Sequence, residues 1–190
     1  MRDILSFFTR AVGLLSKIRH YIPQSTLRSI HFSLFHSKLI YGLQTKAHGN
    51  KELIKKVQTV QNKAMRVISF KNYCERSSPL YKNLNILKLS DYVKLLNCLL
   101  LHDQFNNKLP DVFHDFVLPV KEIHPYNTRN SCKNVVIPQS NTYTYGSRSV
   151  TSSCMRDWNQ LQQLTNCDFL KLKRSRLKTL LTKHFIDTYA

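Results

Sequence analysis

Apolar residues recur every three or four positions along much of this chain, which is the spacing that forms one face of an α-helix. Pro23 favours a helix start, because a proline lacks the N–H group that a first helical turn leaves unpaired, and Leu27, Ile30 and Leu34 follow at helical spacing. Residues 92–105 are apolar on nearly all sides, which predicts a central helix. Helices are predicted over residues 3–20, 23 to about 41, 51–69, 77–84, 92–105 and 109–116. The first domain, residues 1–117, is therefore predicted to be helical.

The helical pattern weakens from residue 118 onwards. Proline, serine, threonine and asparagine interrupt it, so residues 118 to about 153 are predicted to be irregular or to contain short strands, with 135–137 and 143–150 as candidates. A short helix over 157–164 and a last helix from Cys167-Asp168 to Ile186 are predicted to follow. The predicted fold class is mainly α: a multi-helix bundle with a less regular, partly extended segment before a final basic helix. Residues 118–190 form the second predicted domain, which is irregular to about residue 153 and helical after it.

The helix predicted for residues 51–69 separates its two faces most cleanly. One face carries the apolar residues Leu53, Ile54, Val57, Val60, Ala64, Val67 and Ile68. At 100° per residue, four cations gather on the opposite side: Lys55, Lys56, Lys63 and Arg66. Either they contact phosphates or they form a solvated face, and the scarcity of acidic partners favours phosphate contact.

The charge balance points to a polyanionic partner. The chain has 29 Lys and Arg against 11 Asp and Glu, a formal net charge of +18. Nucleic acid is the leading candidate, because neutralised phosphates release condensed counterions; an acidic protein and a membrane surface are alternatives. A second cationic cluster lies near the C-terminus, where RNA binding, nuclear import and simple solvation are the open interpretations: Lys171, Lys173, Arg174, Arg176 and Lys178.

Several kinds of chemistry lack their usual residues. There is no Asp-Asp pair of the kind that holds two catalytic metal ions, no Gly-x-Ser-x-Gly nucleophile motif, and only 4 glycines for phosphate-binding loops. The 5 cysteines are scattered, without a Cys-x-x-Cys pair, so zinc and a disulfide framework are not expected. No catalytic residue, metal, cofactor or small-molecule substrate is predicted.

The sequence predicts neither secretion nor a membrane span. No uncharged apolar run reaches the roughly 18 residues that a span needs, and no signal peptide is recognisable. The expected location is the nucleus or the cytoplasm. Basic residues and serines among the first 20 positions leave a mitochondrial RNA-associated protein as a minor alternative.

Four segments and one residue pair, in a fixed order, are similar to one protein family. They are residues 22–42, 61–68 (Gln-Asn-Lys-Ala-Met-Arg-Val-Ile), 84–89 (Leu-Asn-Ile-Leu-Lys-Leu), 126–129 (Tyr-Asn-Thr-Arg) and the pair Trp158-Asn159. The series resembles the region that follows the polymerase palm in non-LTR (LINE-type, jockey-like) retrotransposon reverse transcriptases, over nearly the whole chain. The sequence departs from the family at Thr45-Lys46-Ala47, where members commonly carry a tryptophan.

The resemblance implies a thumb and post-thumb fragment of a truncated mobile element, lacking the catalytic palm of its RNA-directed DNA polymerase. It implies non-specific backbone contacts to the template–primer, whether RNA, DNA or an RNA–DNA duplex. Tyr126 and Arg129 are candidates for stacking on a nucleotide or for loop packing, and Trp158 is expected in the core. The alternative is a free-standing module such as a helix-turn-helix regulator, hinged at His48-Gly49-Asn50.

Overall fold

The computed structural model describes residues 2–41, 43–49, 51–117, 119–120 and 134–189. The fold is mainly helical, as predicted. The helices are α1 (Arg2–Ile18), α2 (Gln24–Ile30), α3 (Ser37–Ile40), α4 (Leu43–Gly49), α5 (Lys51–Ile68), α6 (Ser78–Leu84), α7 (Leu89–Phe105), α8 (Val150–Thr165) and α9 (Arg174–Asp187). π-Helical turns cover His31–His36 and Tyr143–Ser147, and 3-10 turns cover Asp111–Phe116 and Phe169–Lys171. The predicted hinge residues His48 and Gly49 belong to α4, while Asn50 lies outside the described residues.

Contacts group the chain into two compact units. The first contains Met1–Ser90 and Phe185–Ala190, and the second contains Asp91–His184. The predicted domain boundary after residue 117 does not coincide with the division between these units, which falls after Ser90. That residues 1–117 fold as a separate domain stays a prediction.

The helix that begins after Pro23 contains a π-helical turn that the sequence did not predict. Its buried side chains repeat every four residues: Leu27, His31, Phe35 and Leu39. An α-helix has 3.6 residues per turn, and the extra residue that a π-turn accommodates keeps every fourth side chain on one face. The predicted stripe therefore holds at Leu27 but not beyond it, since Ile30 and Leu34 are only half-buried.

The core of the first unit forms where α1 packs against α5 and the π-turn. Phe8 of α1 stacks on Phe35 with ring centroids 4.2 Å apart. The buried face of α5 consists of Val57, Gln61, Ala64, Met65 and Ile68. This face is turned toward Gln61 and Met65 relative to the prediction, so Val60, assigned to the core from sequence, is only half-buried.

Side-chain amides of α5 hold the chain segment that leads into α7. Gln61 Nε2 donates to the carbonyl oxygen of Leu87 at 3.1 Å, and Gln58 Oε1 accepts from the backbone N–H of Leu89 at 2.8 Å. The buried Tyr81 hydroxyl joins this network by donating to Asn62 Oδ1 at 2.8 Å. Segments 61–68 and 84–89, which both carry the family resemblance, are thus connected by hydrogen bonds inside the first unit.

Replacing Gln61 with leucine is expected to lower the free energy of unfolding by about 1–3 kcal/mol. Gln61 is 1% exposed, and its loss leaves the carbonyl of the half-buried Leu87 without its donor. Chemical denaturation followed by circular dichroism measures the change. The exposed Gln160→Leu is the matched control, and equal effects of the two substitutions would contradict a role for the network.

The core of the second unit is built around α7 and α8. The apolar helix predicted for 92–105 is α7, and its inner residues are buried as expected: Leu95, Cys98, Leu99 and Leu101. α8 begins at Val150 rather than at Asp157, because Ser149 Oγ caps it by accepting from Ser152 N–H at 3.2 Å. The irregular segment therefore ends before residue 153. Of the predicted strands, the described residues retain one isolated bridge, between Pro119 and Val135, and 143–147 form a π-turn instead.

Three consecutive residues of α8 connect this helix to neighbouring parts of the second unit. Trp158 is fully buried. Asn159 pairs with both backbone groups of Val135, accepting from its N–H at 3.0 Å and donating to its carbonyl at 2.9 Å. Asp157 accepts from Asn97 Nδ2 at 2.8 Å. The Trp-Asn pair that contributes to the resemblance has a structural role here.

The last predicted helix is divided into two elements. The Asp168 carboxylate accepts from Leu170 N–H at 3.2 Å and caps the 3-10 turn Phe169–Lys171. Leu172 is extended, and α9 starts only at Arg174. None of the described helices combines the length and the apolar character that crossing a membrane requires.

Candidate nucleic-acid interface

The four cations predicted on α5 lie on its polar side, with unequal exposure. Lys55 and Lys56 are exposed, whereas Lys63 and Arg66 are half-buried. The lysine and arginine pair surrounds Tyr73: the Lys63 Nζ and the Arg66 Cζ lie 5.7 and 5.8 Å from its ring centroid. Lys55 and Lys56 therefore have the more accessible ammonium groups of the four.

Arg66 has a structural contact that the sequence does not reveal. Its Nε donates to the backbone carbonyl of Glu75 at 2.8 Å, which fixes the loop after α5. Part of the guanidinium group is thus committed to the fold. A substitution of Arg66 would disturb this loop, and it is not a clean test of nucleic-acid contact.

Lys55 lines a depression of about 490 Å³ on the polar side of α5. Lys88 lines the same depression, and its ammonium group donates to Ser78 Oγ at 3.0 Å while lying 4.5 Å from the Tyr189 ring centroid. Asn62 and Thr59 add polar groups to its wall. The arrangement places two ammonium groups beside neutral hydrogen-bonding side chains, which is a suitable surface for a phosphate backbone.

The second predicted cluster is fully on the surface of the second unit. All five cations, Lys171, Lys173, Arg174, Arg176 and Lys178, are exposed. Except for Arg176, they line a depression of about 690 Å³, and Lys108 from the residues that follow α7 joins them. The fold brings Lys108 close to Lys171, which is more than 60 residues away in sequence. Five cations therefore line one concave surface.

Acidic residues neutralise part of this depression. Arg174 Nε lies 2.8 Å from both carboxylate oxygens of Asp103. Lys171 Nζ lies 3.6 Å from Asp168. Among the described residues, no ion pair involves Lys173 or Lys178. These two lysines therefore supply the uncompensated charge.

The position of the cations adds to the local potential. Lys173 and Arg174 stand at the start of α9, where the helix macrodipole and the unpaired N–H groups are already positive. Cations at this end of a helix are unfavourable by a few tenths of a kcal/mol unless an anion is bound there. The depression therefore combines the positive end of a helix with five cationic side chains.

Comparison with protein-family models, with curated proteins and with solved structures finds no match for this chain. Contacts, charges and the sequence resemblance are therefore the basis for assigning a function.

Cys98, Cys154 and His102 of the second unit are buried. Burial raises the pKa of the Cys98 thiol, and burial with the nearby Asp157 charge raises that of Cys154 to about 12. His102, one turn after Cys98, has its Nε2 2.8 Å from the Leu172 carbonyl oxygen. No group of three His, Cys, Asp or Glu side chains suited to a metal ion occurs in the part of the chain that the structure describes.

Sequence reasoning missed three residues that the fold brings to these surfaces. Lys88, Lys108 and Tyr73 stand alone in the sequence, each outside the two charge clusters. Lys88 lies within the 84–89 segment of the resemblance, which was the one available signal. The stacking candidates Tyr126 and Arg129 lie outside the described residues.

Proposed function

We propose that this chain binds nucleic acid through its phosphate backbone, without reading base sequence. The observation that carries the proposal is the basic depression at the start of α9, where Lys173 and Lys178 have no ion-pair partner among the described residues and Lys108 approaches from a distant segment. Lysine acts on phosphate as a point charge, which contributes affinity and register but no base selectivity.

The exposed lysines of α5 extend the proposed contact surface in the first unit. Lys55 and Lys56 point away from the buried face of that helix, and Lys88 adds a third ammonium group beside Lys55. The formal net charge of +18 favours association with a polyanion over the whole surface.

The proposed origin is a fragment of a non-LTR retrotransposon reverse transcriptase that comprises the thumb and post-thumb region without the palm. The ordered sequence resemblance supports this origin. In the parent enzyme such a region grips the template–primer, so an RNA–DNA duplex is the preferred ligand in the proposal.

The test measures the affinity of the purified chain for a fluorescein-labelled RNA–DNA duplex by anisotropy at several salt concentrations. The parent chain is expected to give a log–log salt slope of roughly −4 to −7, because each phosphate contact contributes about −0.9. The double substitution K173E/K178E is expected to reduce the steepness by about 2 and to weaken binding roughly tenfold or more at moderate salt. K55E/K56E is expected to act in the same direction.

The matched control is K82E/K183E, which changes two exposed lysines outside the basic depression and alters the net charge by the same amount. If all three double variants bind like the parent, backbone binding at these surfaces is rejected. If the control weakens binding as much as the other two, net charge rather than a site is responsible. A strong preference for one duplex sequence would favour the helix-turn-helix regulator.

A further inference from the structure

A concave surface in the first unit combines one exposed aromatic ring, that of Tyr41, with cations, and the proposed duplex contacts do not use it. It has a volume of about 720 Å³ and lies beside α1, α3 and the start of α4. Ligand sites for small organic molecules commonly measure roughly 300–1,000 Å³. The residues that carry the argument are Ser6, Phe7, Arg10, Lys38, Tyr41 and Lys46.

The local backbone explains how these side chains meet. Phe7 and Arg10 are three residues apart on α1 and therefore share a face. Lys38 and Tyr41 have the same spacing at the end of α3. Tyr41 leaves the helix with an extended backbone, at φ −60° and ψ 110°, and α4 then brings Lys46 back, so that its ammonium group donates to the Tyr41 carbonyl at 3.1 Å.

Tyr41 is the most exposed part of this surface. Its side chain is 81% exposed, and the Lys46 Nζ lies 5.6 Å from its ring centroid. The aromatic ring is thus held near a cation while most of it remains open to solvent. A flat ring in this setting offers a stacking platform to a nucleobase, whatever the base, because every base has a π-face.

Three cations line the same concave surface as Tyr41. The Lys38 ammonium lies 3.8 Å from the Phe7 ring centroid, a cation–π contact that fixes its position. Arg10 is exposed, and Lys46 is the cation that lies beside the Tyr41 ring. None of the described residues that line this surface is an aspartate or a glutamate, so its charge attracts phosphate without internal compensation.

We propose that this surface binds one unpaired nucleotide of a single-stranded nucleic acid. The base stacks on Tyr41, and the flanking phosphates contact Arg10, Lys38 and Lys46. In a duplex both faces of each base are covered by neighbouring base pairs, so a stacking site of this kind selects unpaired strands. The inference goes beyond duplex binding, and it does not depend on the cations of α5 or of residues 171–178.

The experiment uses the full chain and fluorescein-labelled single-stranded dT12, with the labelled RNA–DNA duplex as the second ligand. Tyr41→Ala is expected to weaken dT12 binding about thirtyfold, the middle of the range for loss of one base–aromatic stack, and to leave duplex binding unchanged. Tyr41→Phe retains the ring and is expected to bind dT12 like the parent. Tyr21→Ala is the matched control, because Tyr21 is 87% exposed and does not line this surface.

A second readout reports stacking directly. A dT12 strand with one central 2-aminopurine is expected to lose fluorescence on binding to the parent and to Tyr41→Phe, but not to Tyr41→Ala, because stacking on an aromatic ring quenches this base. Tyr41 is on the surface, so its replacement is expected to change stability by about half a kcal/mol or less, and circular dichroism verifies that the variant is folded.

The proposal is overturned if Tyr41→Ala binds dT12 as tightly as the parent, or if Tyr21→Ala loses as much affinity. It is also overturned if a poly-glutamate peptide competes with dT12 as well as unlabelled dT12 does, since the surface would then recognise charge alone. Duplex binding that falls in K173E/K178E while dT12 binding is unaffected by Tyr41→Ala would retain the proposed function and reject this site. If K173E/K178E binds the duplex like the parent while Tyr41→Ala loses affinity for dT12, the single-strand site is retained and the duplex contacts are rejected.

Discussion

Replacing Trp158 with alanine is expected to lower the free energy of unfolding by about 3–5 kcal/mol, the range observed when a large aromatic side chain leaves a packed core. The side chain is fully buried. Its ring lies 5.6 Å from the Phe105 ring and 5.2 Å from the Phe169 ring, the second in an edge-to-face contact at 89°. The substitution removes both aromatic contacts and leaves a cavity. Urea denaturation followed by helical circular dichroism measures the loss.

The control for this substitution is Leu164→Ala on the same helix. Leu164 is 59% exposed, so its truncation is expected to change stability by about half a kcal/mol or less. A loss below about 1 kcal/mol for Trp158→Ala would show that the aromatic cluster is not the centre of the second unit.

The elements with strong local signals were predicted correctly. α6 starts where Ser77, Ser78 and Pro79 indicated, and it ends at Asn85, whose φ of 54° is a left-handed conformation that asparagine tolerates. α7 was recognised because a helix buried on several sides needs apolar residues in nearly every direction. In both helices the deciding physics lies within a few residues along the chain.

The errors arose where distant contacts or an unusual turn decide the structure. The π-turn at His31–His36 changes the spacing of the buried side chains from 3.6 to four residues, and no single residue in the sequence indicates this turn. α8 was predicted too short because Ser149 is one of many serines and threonines in its region, and only the observed bond to Ser152 identifies it as the cap. The irregular segment was correspondingly drawn too long.

The candidate site was predictable only where its residues are neighbours along the chain. The cations of α5 and of residues 171–178 were found because they are adjacent in sequence or share one helix face. The pairing of Arg174 with Asp103, the approach of Lys108 and the concave surface around Tyr41 depend on tertiary folding. Sequence reasoning therefore located the charge but not the surfaces that give it a shape.

Acidification is expected to destabilise this protein through His31. The side chain is 1% exposed, and neither ring nitrogen has a hydrogen-bond partner among the described residues. Burial, with smaller effects from His36 and Arg28, lowers the pKa of His31 from 6.5 to about 3. Its neutral ring stacks on Phe35 at a centroid distance of 5.2 Å, so protonation would place an unpaired charge in the core.

The pKa difference fixes the sign of the pH effect. Between pH 6.5 and about 3 the unfolded chain binds a proton at His31 that the folded chain does not, so the free energy of unfolding falls as the pH falls through this window. Each pH unit below 6.5 contributes about 1.4 kcal/mol, which amounts to roughly 2–3 kcal/mol at pH 4.5. Urea denaturation at several pH values between 7.5 and 4.5 measures the slope.

His31→Phe retains an aromatic ring at this position and removes the titrating group. The difference in unfolding free energy between this variant and the parent is expected to grow by roughly 2–3 kcal/mol from pH 7.5 to pH 4.5 in favour of the variant, since every other titrating group is common to both chains. His20→Phe is the control, because His20 is exposed and its removal should leave the parental slope nearly unchanged. If the unfolding free energies of His31→Phe and the parent fall in parallel as the pH is lowered, a group in the folded state stabilises the protonated His31 ring. The buried neutral histidine is then not a feature of the core.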